Sequence, residues 1–401
     1  MMGRFIVVVL DSFGIGAMHD VAEVRPQDVG ANTCKHILQA KPELYLPTLE
    51  HLGLMNALGE EIGNMRFSRD AVYGSSDLLH FGGDTFYGHQ EIMGTLPKKP
   101  LKQPFNEVIP DVYDALVEHG YQVEYVGDRL KILVVNNCVT VGDNMETDPG
   151  QVYNITGCLD QIDFAGITAI GTVVRSVVKV SRVIAFGGQD VTVEDLLAAR
   201  RERDGKYAGV DAPKSGVYNK GYQVIHLGYG IDPEVQVPTI LGKQGIPVVL
   251  IGKVADIVEN RCGTSIPGVD SAWLFKQTIE QVRKLKHGFV CLNIQETDLA
   301  GHAEDVERYA DRLQLSDHYL GTLIGELADE DVLIVMADHG NDPTIGHSNH
   351  TRERVPLLVY KKGISPRFIG HHPTMSDVGA TVADYFAAET TQNGNSFLHL
   401  L

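Results

Sequence analysis

The chain has 401 residues, of which 43% are hydrophobic and 21% are charged. This composition is typical of a globular protein that is long enough for about two or three domains. The formal net charge of −18 argues against nucleic acid as a main partner, because phosphate backbones attract basic surfaces. No apolar stretch approaches the ~18–20 residues that a membrane-spanning helix needs, so we expect no membrane partner.

The cysteines and the N-terminus both indicate a cytoplasmic protein. Five cysteines occur along the chain, an odd number without paired spacing. Several lie in apolar contexts, which predicts buried, reduced thiols. The apolar run that starts at Phe5 is short, ends in Asp11 and lacks a small-residue cleavage site, so it predicts a buried strand rather than a signal peptide.

The N-terminal part of the chain predicts a strand, a helix and a motif-rich loop. Residues 5–10 form a β-branched run typical of a parallel strand that is covered on both faces, and a glycine-rich turn, residues 11–16, follows. Apolar residues at helical spacing predict a helix over residues 46–58. Residues 82–94 predict a loop that opens into a short helix, and the proline- and lysine-rich residues 96–104 predict a linker.

The middle of the chain predicts a separate α+β module. Its predicted elements, in chain order, are strands over residues 121–126, 131–135, 173–180 and 182–185 and a helix over residues 191–203. A polar, glycine-containing stretch follows, up to residue 221.

From about residue 234, strands and helices alternate again. The predicted elements are a helix around residues 239–241, a strand at 247–252, a helix at 271–285, a strand at 288–293, a helix at 306–327, strands at 332–336 and 355–360, and a helix at 376–386. This rhythm predicts an α/β fold with a mainly parallel sheet and helices on both faces. We therefore predict a core formed by residues 1–97 and 223–401, with an inserted cap domain over residues 98–222.

Residues of metal-ligand type follow the ends of the predicted core strands. They are Asp11, Asp298, His302, Asp338, His339 and His350. The carboxyl ends of parallel strands meet at one edge of a sheet, where ligands bind. A mixture of aspartate and histidine suits Mn²⁺, Zn²⁺ or Fe²⁺, whereas Ca²⁺ and Mg²⁺ sites usually consist of oxygen alone. This set is too large for one ion, and two neighbouring ions would form a clamp for in-line displacement at phosphorus.

Each of these residues also has a purely structural interpretation. Asp11 is equally well explained as the cap of a turn, and Asp298 with His302, four residues apart, as a surface pair on a helix. Asp338 followed by His339 fits a helix N-cap, and His350 alone fits a polar loop. Their joint occurrence at predicted strand ends favours the metal site.

Thr85 is the candidate nucleophile. It follows two glycines and Asp84 and precedes a helical segment, which places its hydroxyl beside backbone N–H groups where a phosphate is stabilised. A nearby metal ion would make this hydroxyl a nucleophile. The structural alternative is that Thr85 is simply the N-cap of the helix.

Several motifs together resemble one enzyme family. They are Asp11-Ser12-Phe13-Gly14-Ile15-Gly16, Gly83-Asp84-Thr85 with Gly88-His89 and Glu91-Ile92-Met93-Gly94, Ile251-Gly252-Lys253-Val254, and Ala337-Asp338-His339-Gly340-Asn341-Asp342-Pro343-Thr344 with His350-Thr351-Arg352-Glu353. The motifs closely resemble those of phosphopentomutases, a family of the alkaline phosphatase superfamily. The resemblance covers the whole predicted core.

The resemblance implies an alkaline-phosphatase-like core with a cap inserted after the nucleophile segment, and two Mn²⁺ ions, or Zn²⁺ or another divalent metal. One ion would bind Asp298, His302 and His350. The other would bind Asp11, Asp338 and His339, with Thr85 at its open side. Thr85 would carry a phosphoryl group and exchange it with a phosphorylated sugar, as in the interconversion of ribose 1-phosphate and ribose 5-phosphate, with a sugar bisphosphate as intermediate or activator.

The predicted cap departs from the family pattern. The family's sugar-contact stretch matches poorly to Asn154-Ile155-Thr156-Gly157, so a pentose-binding carboxylate is missing. Arg182 still matches a phosphate-contact arginine, and Lys220 stands in a stretch where the family is rich in arginine. We therefore take Arg182 and Lys220 as candidate substrate contacts. The alternatives are a paralogous phosphomutase, a metal-dependent phosphatase or phosphodiesterase with another phosphorylated substrate, and a metal-stabilised binding protein.

Overall fold

The computed structural model describes residues 3–146 and 150–401. The chain forms two compact units. The first comprises the described residues up to Pro97 together with Asp232–Leu401, and the second comprises Lys98–Ile231.

The strands alternate with helices in the first unit and follow one another more closely in the second. In chain order they are β1 (Arg4–Leu10), β2 (Val72–Ser76), β3 (Val123–Val126), β4 (Ile132–Val135), β5 (Val139–Asp143), β6 (Val152–Cys158), β7 (Arg182–Gly188), β8 (Arg200–Arg203), β9 (Tyr207–Val210), β10 (Gln223–Gly228), β11 (Val248–Ile251), β12 (Thr264–Ile266), β13 (Gly288–Ile294), β14 (Val332–Met336), β15 (Val355–Tyr360) and β16 (Arg367–His372).

The helices range from single turns to the long helix that precedes β14. In chain order they are α1 (Val21–Val24), α2 (Thr33–Ala40), α3 (Pro47–Leu52), α4 (Leu54–Leu58), α5 (Thr85–Ile92), α6 (Phe105–Glu118), α7 (Phe164–Val177), α8 (Val193–Ala198), α9 (Ala212–Ser215), α10 (Val237–Lys243), α11 (Val254–Ile257), α12 (Ser271–Lys284), α13 (Glu296–His302), α14 (Val306–Ile324) and α15 (Ser376–Tyr385).

The first unit is built on a mainly parallel sheet with the strand order β12-β11-β13-β1-β14-β15-β2-β16. At its centre β1 runs parallel to β13 and β14, with Val8 opposite Leu292 on one side and Val335 on the other. Strand β15 is antiparallel to both of its neighbours. The predicted fold class, an α/β core with a mainly parallel sheet, is confirmed.

The central strands are covered on both faces. Every residue of β1, β13 and β14 is buried, as expected for parallel strands between two helical layers. Helices α2, α3 and α12 contact α14, while α5 and α10 contact α15. The apolar runs that predicted these strands therefore form the core, and their polar successors lie at its edge.

The single helix predicted over residues 46–58 is two helices in the structure. Gly53 separates α3 from α4 with a φ of 94°, a left-handed conformation that glycine adopts without steric cost. An added Cβ at this position would lie 2.5 Å from the Cβ of Ala71. The apolar periodicity continues from α3 into α4, so the sequence pattern did not reveal the break at Gly53.

The second unit contains a six-stranded sheet with the order β10-β7-β6-β5-β4-β3. Its neighbouring strands are antiparallel except β6 and β7, which are parallel and joined through α7. A separate hairpin, β8-β9, packs near β5. Helices α6 and α7 contact each other and the sheet, which completes an α+β unit with its own hydrophobic core.

Two element predictions in this unit were wrong. Residues 173–180, predicted as a strand from their valines, mostly belong to α7, where Ile167, Ile170 and Val174 are buried along one helical face. The helix predicted over residues 191–203 ends at Ala198 and gives way to β8. Tertiary packing overrides the weak strand preference of valine.

The C-terminal boundary predicted for the inserted segment also differs from the structure. Residues 223–228, assigned to the core by the sequence, form β10, which pairs antiparallel with β7 and belongs to the second unit. The polar stretch before β10 predicted that the inserted segment ends at residue 222. Because β10 pairs with β7, the second unit extends to Ile231.

The described cysteines form no disulfide. Cys34, Cys138, Cys158 and Cys291 are buried, as predicted, whereas Cys262 is exposed. Among the helices of residues 3–146 and 150–401, none has the length and apolarity required to cross a bilayer.

The central sheet predicts the effect of a core truncation. Leu292→Ala, in β13, removes a fully buried side chain and should lower the free energy of unfolding by about 2–5 kcal/mol. Chemical denaturation followed by the fluorescence of Trp273, the chain's single tryptophan, reports on the first unit. The matched control is Leu96→Ala, because Leu96 is 43% exposed and its loss should cost at most about 0.5 kcal/mol. Equal effects of the two substitutions would contradict this placement of β13.

Candidate metal centre and nucleophile

The three central strands direct polar residues to one edge of the sheet. Asp11 directly follows β1, and Asp338 follows β14 after a single alanine. Asp298 lies in α13, which begins two residues after β13 ends. Because β13, β1 and β14 are parallel neighbours, their carboxyl ends coincide. The three aspartates are at most 3% exposed.

Asp298, His302 and His350 form the first group. The Nε2 atom of His302 lies 3.4 Å from Asp298 Oδ2, and that of His350 lies 3.2 Å from Asp298 Oδ1. Each ring donates its Nδ1–H to a backbone carbonyl, that of Ser348 for His302 and that of Gly83 for His350. The two Nε2 atoms are therefore lone-pair donors, yet they lie only 2.9 Å apart. A cation between them and the carboxylate satisfies all three groups.

Asp11, Asp338 and His339 form the second group, whose ligand atoms all lie within 4.8 Å of one another. His339 directs Nδ1 to the carbonyl of Gly340 and leaves Nε2 3.5 Å from Asp11 Oδ1. Both of these buried atoms lack a hydrogen-bond partner in the described part of the chain. Buried polar atoms of this kind are normally satisfied, so the group also fits a divalent metal.

The two groups are adjacent. The rings of His339 and His350 stack with their centroids 4.0 Å apart. The Nζ atom of Lys253 lies 2.9 Å from Asp11 Oδ2 and 3.4 Å from Asp298 Oδ2, so one ammonium group contacts a carboxylate of each group. The two groups are therefore close enough to form one centre with two neighbouring cation sites.

Burial and mutual repulsion perturb these carboxyl groups. Burial raises the pKa of Asp11 to about 6, and the charge of Asp338 adds to this effect. For Asp338 itself, the charges of His339 and His89 outweigh burial and hold the pKa well below its usual range. Burial opposes the charge of His339, but the neighbouring Asp338 and Asp11 raise its pKa to about 9. Three buried carboxyl groups and their cationic neighbours thus lie close enough to shift one another's pKa values.

Thr85 faces the second group. Its Oγ1 donates a hydrogen bond of 2.7 Å to Asp338 Oδ2. Thr85 is the first residue of α5, whereas the N-cap is Asp84, whose side chain accepts from Tyr87 N at 3.2 Å. The alternative that Thr85 is merely the cap is therefore wrong, and its hydroxyl is directed to the ligand groups instead of to its own helix.

The sequence analysis did not assign His89 and Asn293, which orient the ligands. His89, one turn after Thr85, donates from Nδ1 to the carbonyl of Thr85 at 2.9 Å, and the same atom is 3.2 Å from Asp338 Oδ2. Asn293 donates to Asp11 Oδ2 at 3.0 Å and to His89 Nε2 at 2.9 Å. The sequence signal for His89 was its place in the motif after Gly88. Gly88 is required there in the structure, because an added Cβ would lie 2.8 Å from the carbonyl oxygen of Asp338.

The sequence predicted no role for Lys253, which belongs to the motif Ile251-Gly252-Lys253-Val254. It follows β11, the neighbour of β13, and therefore reaches the same edge. Burial opposes its charge, but Asp11 and Asp298 outweigh burial and raise its pKa. A lysine after a strand end has no specific signature in sequence, and only the sheet order shows that it contacts two predicted ligands.

Arg182 and Lys220, the predicted substrate contacts, both lie in the second unit but are not brought together. Arg182 is the first residue of β7. The backbone carbonyl of Lys220 accepts a hydrogen bond from the N–H of Gln189, which follows the last residue of β7. A seven-residue strand spans roughly 20 Å. Lys220 is exposed and pairs with Asp190 at 2.6 Å. The two residues therefore do not form one phosphate site.

Comparison with known proteins gives a consistent result. The model of the Metalloenzyme superfamily matches residues 3–390. The chain is similar to a phosphopentomutase of Desulfitobacterium hafniense, with 30% identity over 406 residues that cover 99% of each chain. It is also similar to a phosphopentomutase of Photorhabdus laumondii, with 32% identity over 429 residues that cover 99% of this chain and 100% of the relative.

Similar solved structures include a phosphoglycerate mutase of Leishmania mexicana, with 11% identity and a TM-score of 0.46, which covers 99% of this chain and 97% of the relative. An alkaline phosphatase of the Antarctic bacterium TAB5, with 11% identity and a TM-score of 0.37, covers 97% of this chain and 100% of the relative.

The superfamily match spans nearly the whole chain, and the full-length relatives are phosphopentomutases. The structure places two groups of metal-ligand type side by side at the edge of the sheet. The chain is thus a metal-dependent phosphomutase that belongs to the Metalloenzyme superfamily and, within it, to the phosphopentomutase family.

Proposed function

We propose that this phosphomutase carries its phosphoryl group on Thr85 and uses two divalent metal ions. The observation that carries the proposal is the contact between Thr85 Oγ1 and Asp338 Oδ2, 2.7 Å long, at the edge where both candidate metal groups meet. A hydroxyl in this position can accept a phosphoryl group and return it, which a binding protein would not need.

The residues fit two ions that accept nitrogen and oxygen together. Asp298, His302 and His350 would hold one ion. Asp11, Asp338 and His339 would hold the other. We propose Mn²⁺ because it accepts both donor types, with Zn²⁺ as the alternative. Bound there, the ions would neutralise phosphoryl charge and keep the entering and leaving oxygens in line.

The chain's own residues orient the reaction. In the free enzyme Thr85 holds its proton toward Asp338 Oδ2. When Thr85 is phosphorylated, its Oγ1–phosphorus bond breaks as the oxygen of a sugar hydroxyl forms the new bond. The sugar hydroxyl loses its proton and Thr85 Oγ1 gains one, which gives a sugar bisphosphate and the free threonine. The bisphosphate then returns its other phosphoryl group to Thr85. Thr85 lies in the first turn of α5, whose N–H groups favour the phosphoryl charge in both states.

We propose a phosphorylated pentose as substrate, interconverted between ribose 1-phosphate and ribose 5-phosphate, with a sugar bisphosphate as activator. The names of the full-length relatives support this proposal. The second unit, residues 98–231, is the proposed substrate domain, and Arg182 and Lys220 remain separate candidate contacts in it. The unpaired cysteines support a reducing, cytoplasmic location.

One observation favours a second candidate, a phosphomutase with a different substrate. Asn154 and Thr156 lie in β6, where the family's sugar-contact stretch would be expected, and neither is acidic. Asn154 Nδ2 and Thr156 Oγ1 are buried without a hydrogen-bond partner among the described residues. A carboxylate only accepts hydrogen bonds, whereas the Asn154 amide and the Thr156 hydroxyl can also donate them. These neutral groups would therefore suit a ligand that presents hydrogen-bond acceptors.

The ligand assignment predicts a change in metal content. Asp298→Asn weakens a metal ligand without changing its size, so elemental analysis of the purified protein should fall from two ions per chain to about one. The control is Asp311→Asn, because Asp311 is exposed on α14 and its substitution should leave metal content unchanged. Full occupancy in Asp298→Asn would remove this residue from the ligand set.

The nucleophile assignment predicts the loss of a covalent adduct. Incubation with a sugar bisphosphate should add one phosphoryl group to the wild-type protein, detected by intact-mass spectrometry. Thr85→Val keeps the shape but lacks the hydroxyl, so neither the adduct nor mutase activity should be detectable. Thr85→Ser retains a hydroxyl and serves as the control that should still be labelled. An adduct that persists in Thr85→Val would place the phosphoryl group elsewhere.

The reaction type predicts the products. Wild-type protein with Mn²⁺, ribose 5-phosphate and a sugar bisphosphate primer should yield ribose 1-phosphate, measured by ³¹P NMR, without release of free phosphate. Stoichiometric free phosphate would identify a hydrolase instead. If the protein is labelled by the primer but leaves ribose 5-phosphate unchanged, a panel of other sugar phosphates tests the second candidate.

A further inference from the structure

The loop that precedes the nucleophile is only partly fixed by its own side chains, of which Leu78 and His80 are buried. Residues 77–84 connect β2 to α5 without regular secondary structure. Leu79 and Phe81, two of the large apolar residues in the loop, are 46% and 43% exposed. Such a loop would normally be mobile, yet phosphoryl transfer requires Thr85 to be held within a fraction of an ångström. Polar contacts from outside the loop add to the order that buried Leu78 and His80 provide.

Arg352 contacts the carbonyl groups of the loop. Its Nη1 donates to the carbonyls of His80 and Gly82 at 2.6 and 2.8 Å, and its Nη2 donates to that of Leu78 at 3.0 Å. The remaining N–H groups of the guanidinium bind Asp20 in a bidentate pair at 2.9 and 2.8 Å. All five donors of the side chain are thus used, and three of them bind alternate residues of one loop.

Glu91 contacts the amide groups of the same loop. Its carboxylate accepts from Leu79 N at 3.0 Å and from His80 N at 2.9 Å. The His80 ring also donates to it from Nδ1 at 2.8 Å. Thr374 and Met375 N complete its shell at 2.7 and 2.9 Å. Glu91 is fully buried, and it lies in α5, the helix that begins with Thr85.

The segment that contains Arg352 also contacts the metal groups. His350, two residues earlier, donates to the carbonyl of Gly83 at 2.8 Å. Thr351 pairs with Gly340, next to His339, through backbone hydrogen bonds of 2.7 and 3.0 Å. The position of the loop is therefore fixed relative to both ligand groups through one short stretch of chain.

We propose that Arg352, braced by Asp20, is a positioning residue that holds the loop before Thr85 in register with the metal groups. The inference rests on the proposed role of Thr85. Arg352 does not contact the Thr85 hydroxyl in the described contacts; it acts through the carbonyls of Leu78, His80 and Gly82. Loss of these bonds would leave the metal ligands in place but let the nucleophile move.

The test compares a graded set of substitutions in the full-length, metal-loaded protein. Arg352→Gln removes the charge and most donors, Arg352→Lys keeps the charge but not the fork, and Asp20→Asn weakens the brace from a partly exposed position. The control is Arg283→Gln, because Arg283 of α12 also pairs with an acidic side chain, Glu326, and its guanidinium contacts no loop residue among the described contacts. Metal content, the unfolding midpoint, kcat, KM and the rate of Thr85 labelling by a sugar bisphosphate are measured for each.

Arg352→Gln should reduce kcat and the labelling rate by about 10- to 100-fold, because a displacement near 1 Å has effects of this size. Metal content should stay at the wild-type value, and KM should stay within about threefold, since substrate binding is not addressed. Arg352→Lys should lie between this variant and Asp20→Asn, which should lose about 2- to 10-fold. Arg283→Gln should retain activity within about twofold.

A merely structural role would lower the unfolding midpoint without changing kcat in the folded protein. A kcat within about twofold of wild type in folded, metal-loaded Arg352→Gln would overturn the inference. If that variant does not fold, unchanged kcat and labelling rates in both Arg352→Lys and Asp20→Asn would overturn it equally. Absence of labelling in the wild-type protein would instead overturn the proposed function and this inference with it.

Discussion

The structure depends on the burial of three carboxylates at one edge of a parallel sheet. Asp11, Asp298 and Asp338 are almost fully buried and close enough to perturb one another. Negative charges in a medium of low polarity are costly unless cations compensate them. Lys253 supplies one positive charge and contacts two of the three aspartates. The facing lone pairs of His302 and His350 and the buried Asp11 Oδ1 and His339 Nε2, which lack hydrogen-bond partners among the described residues, fit divalent metal ions better than a set of salt bridges.

Rigid and less rigid parts of the first unit hold different parts of the site. The ligands Asp11 and Asp338 follow fully buried central strands, so the hydrophobic core fixes them directly. Thr85 instead follows a partly exposed loop, whose order is increased by charged side chains that bind its backbone groups. The Arg352 guanidinium donates hydrogen bonds to backbone carbonyls of the loop, and the Glu91 carboxylate accepts hydrogen bonds from its backbone amides. The two side chains thus bind complementary backbone groups of one segment. This division allows the nucleophile to be placed against the candidate metal groups while Leu79 and Phe81 of the loop stay exposed.

The two units also differ in how closely they follow the family pattern. The first unit retains every predicted metal ligand in two compact groups, and the supporting residues His89, Asn293 and Glu353 are buried there. Glu353 accepts from the backbone and side chain of Thr33 at 2.9 and 2.6 Å, which ties the last motif to the first helices. In the second unit, neutral Asn154 and Thr156 occupy the stretch where a carboxylate was expected. The proposed phosphoryl transfer therefore rests on the first unit, while the proposed substrate contacts lie in the second.

The sequence by itself determined the core strands, because a buried parallel strand is a local apolar run. It also singled out the candidate metal ligands and Thr85, which the structure brings together at one edge of the sheet. It did not determine that residues 173–180 are helical, that β10 belongs to the second unit, or that Lys253 and Arg352 contact the site. Those features depend on pairing and packing between segments far apart in the chain. Valine fits a helix or a strand according to its neighbours. A lysine after a strand, such as Lys253, and an arginine in a loop, such as Arg352, gain their partners only when distant segments pack together.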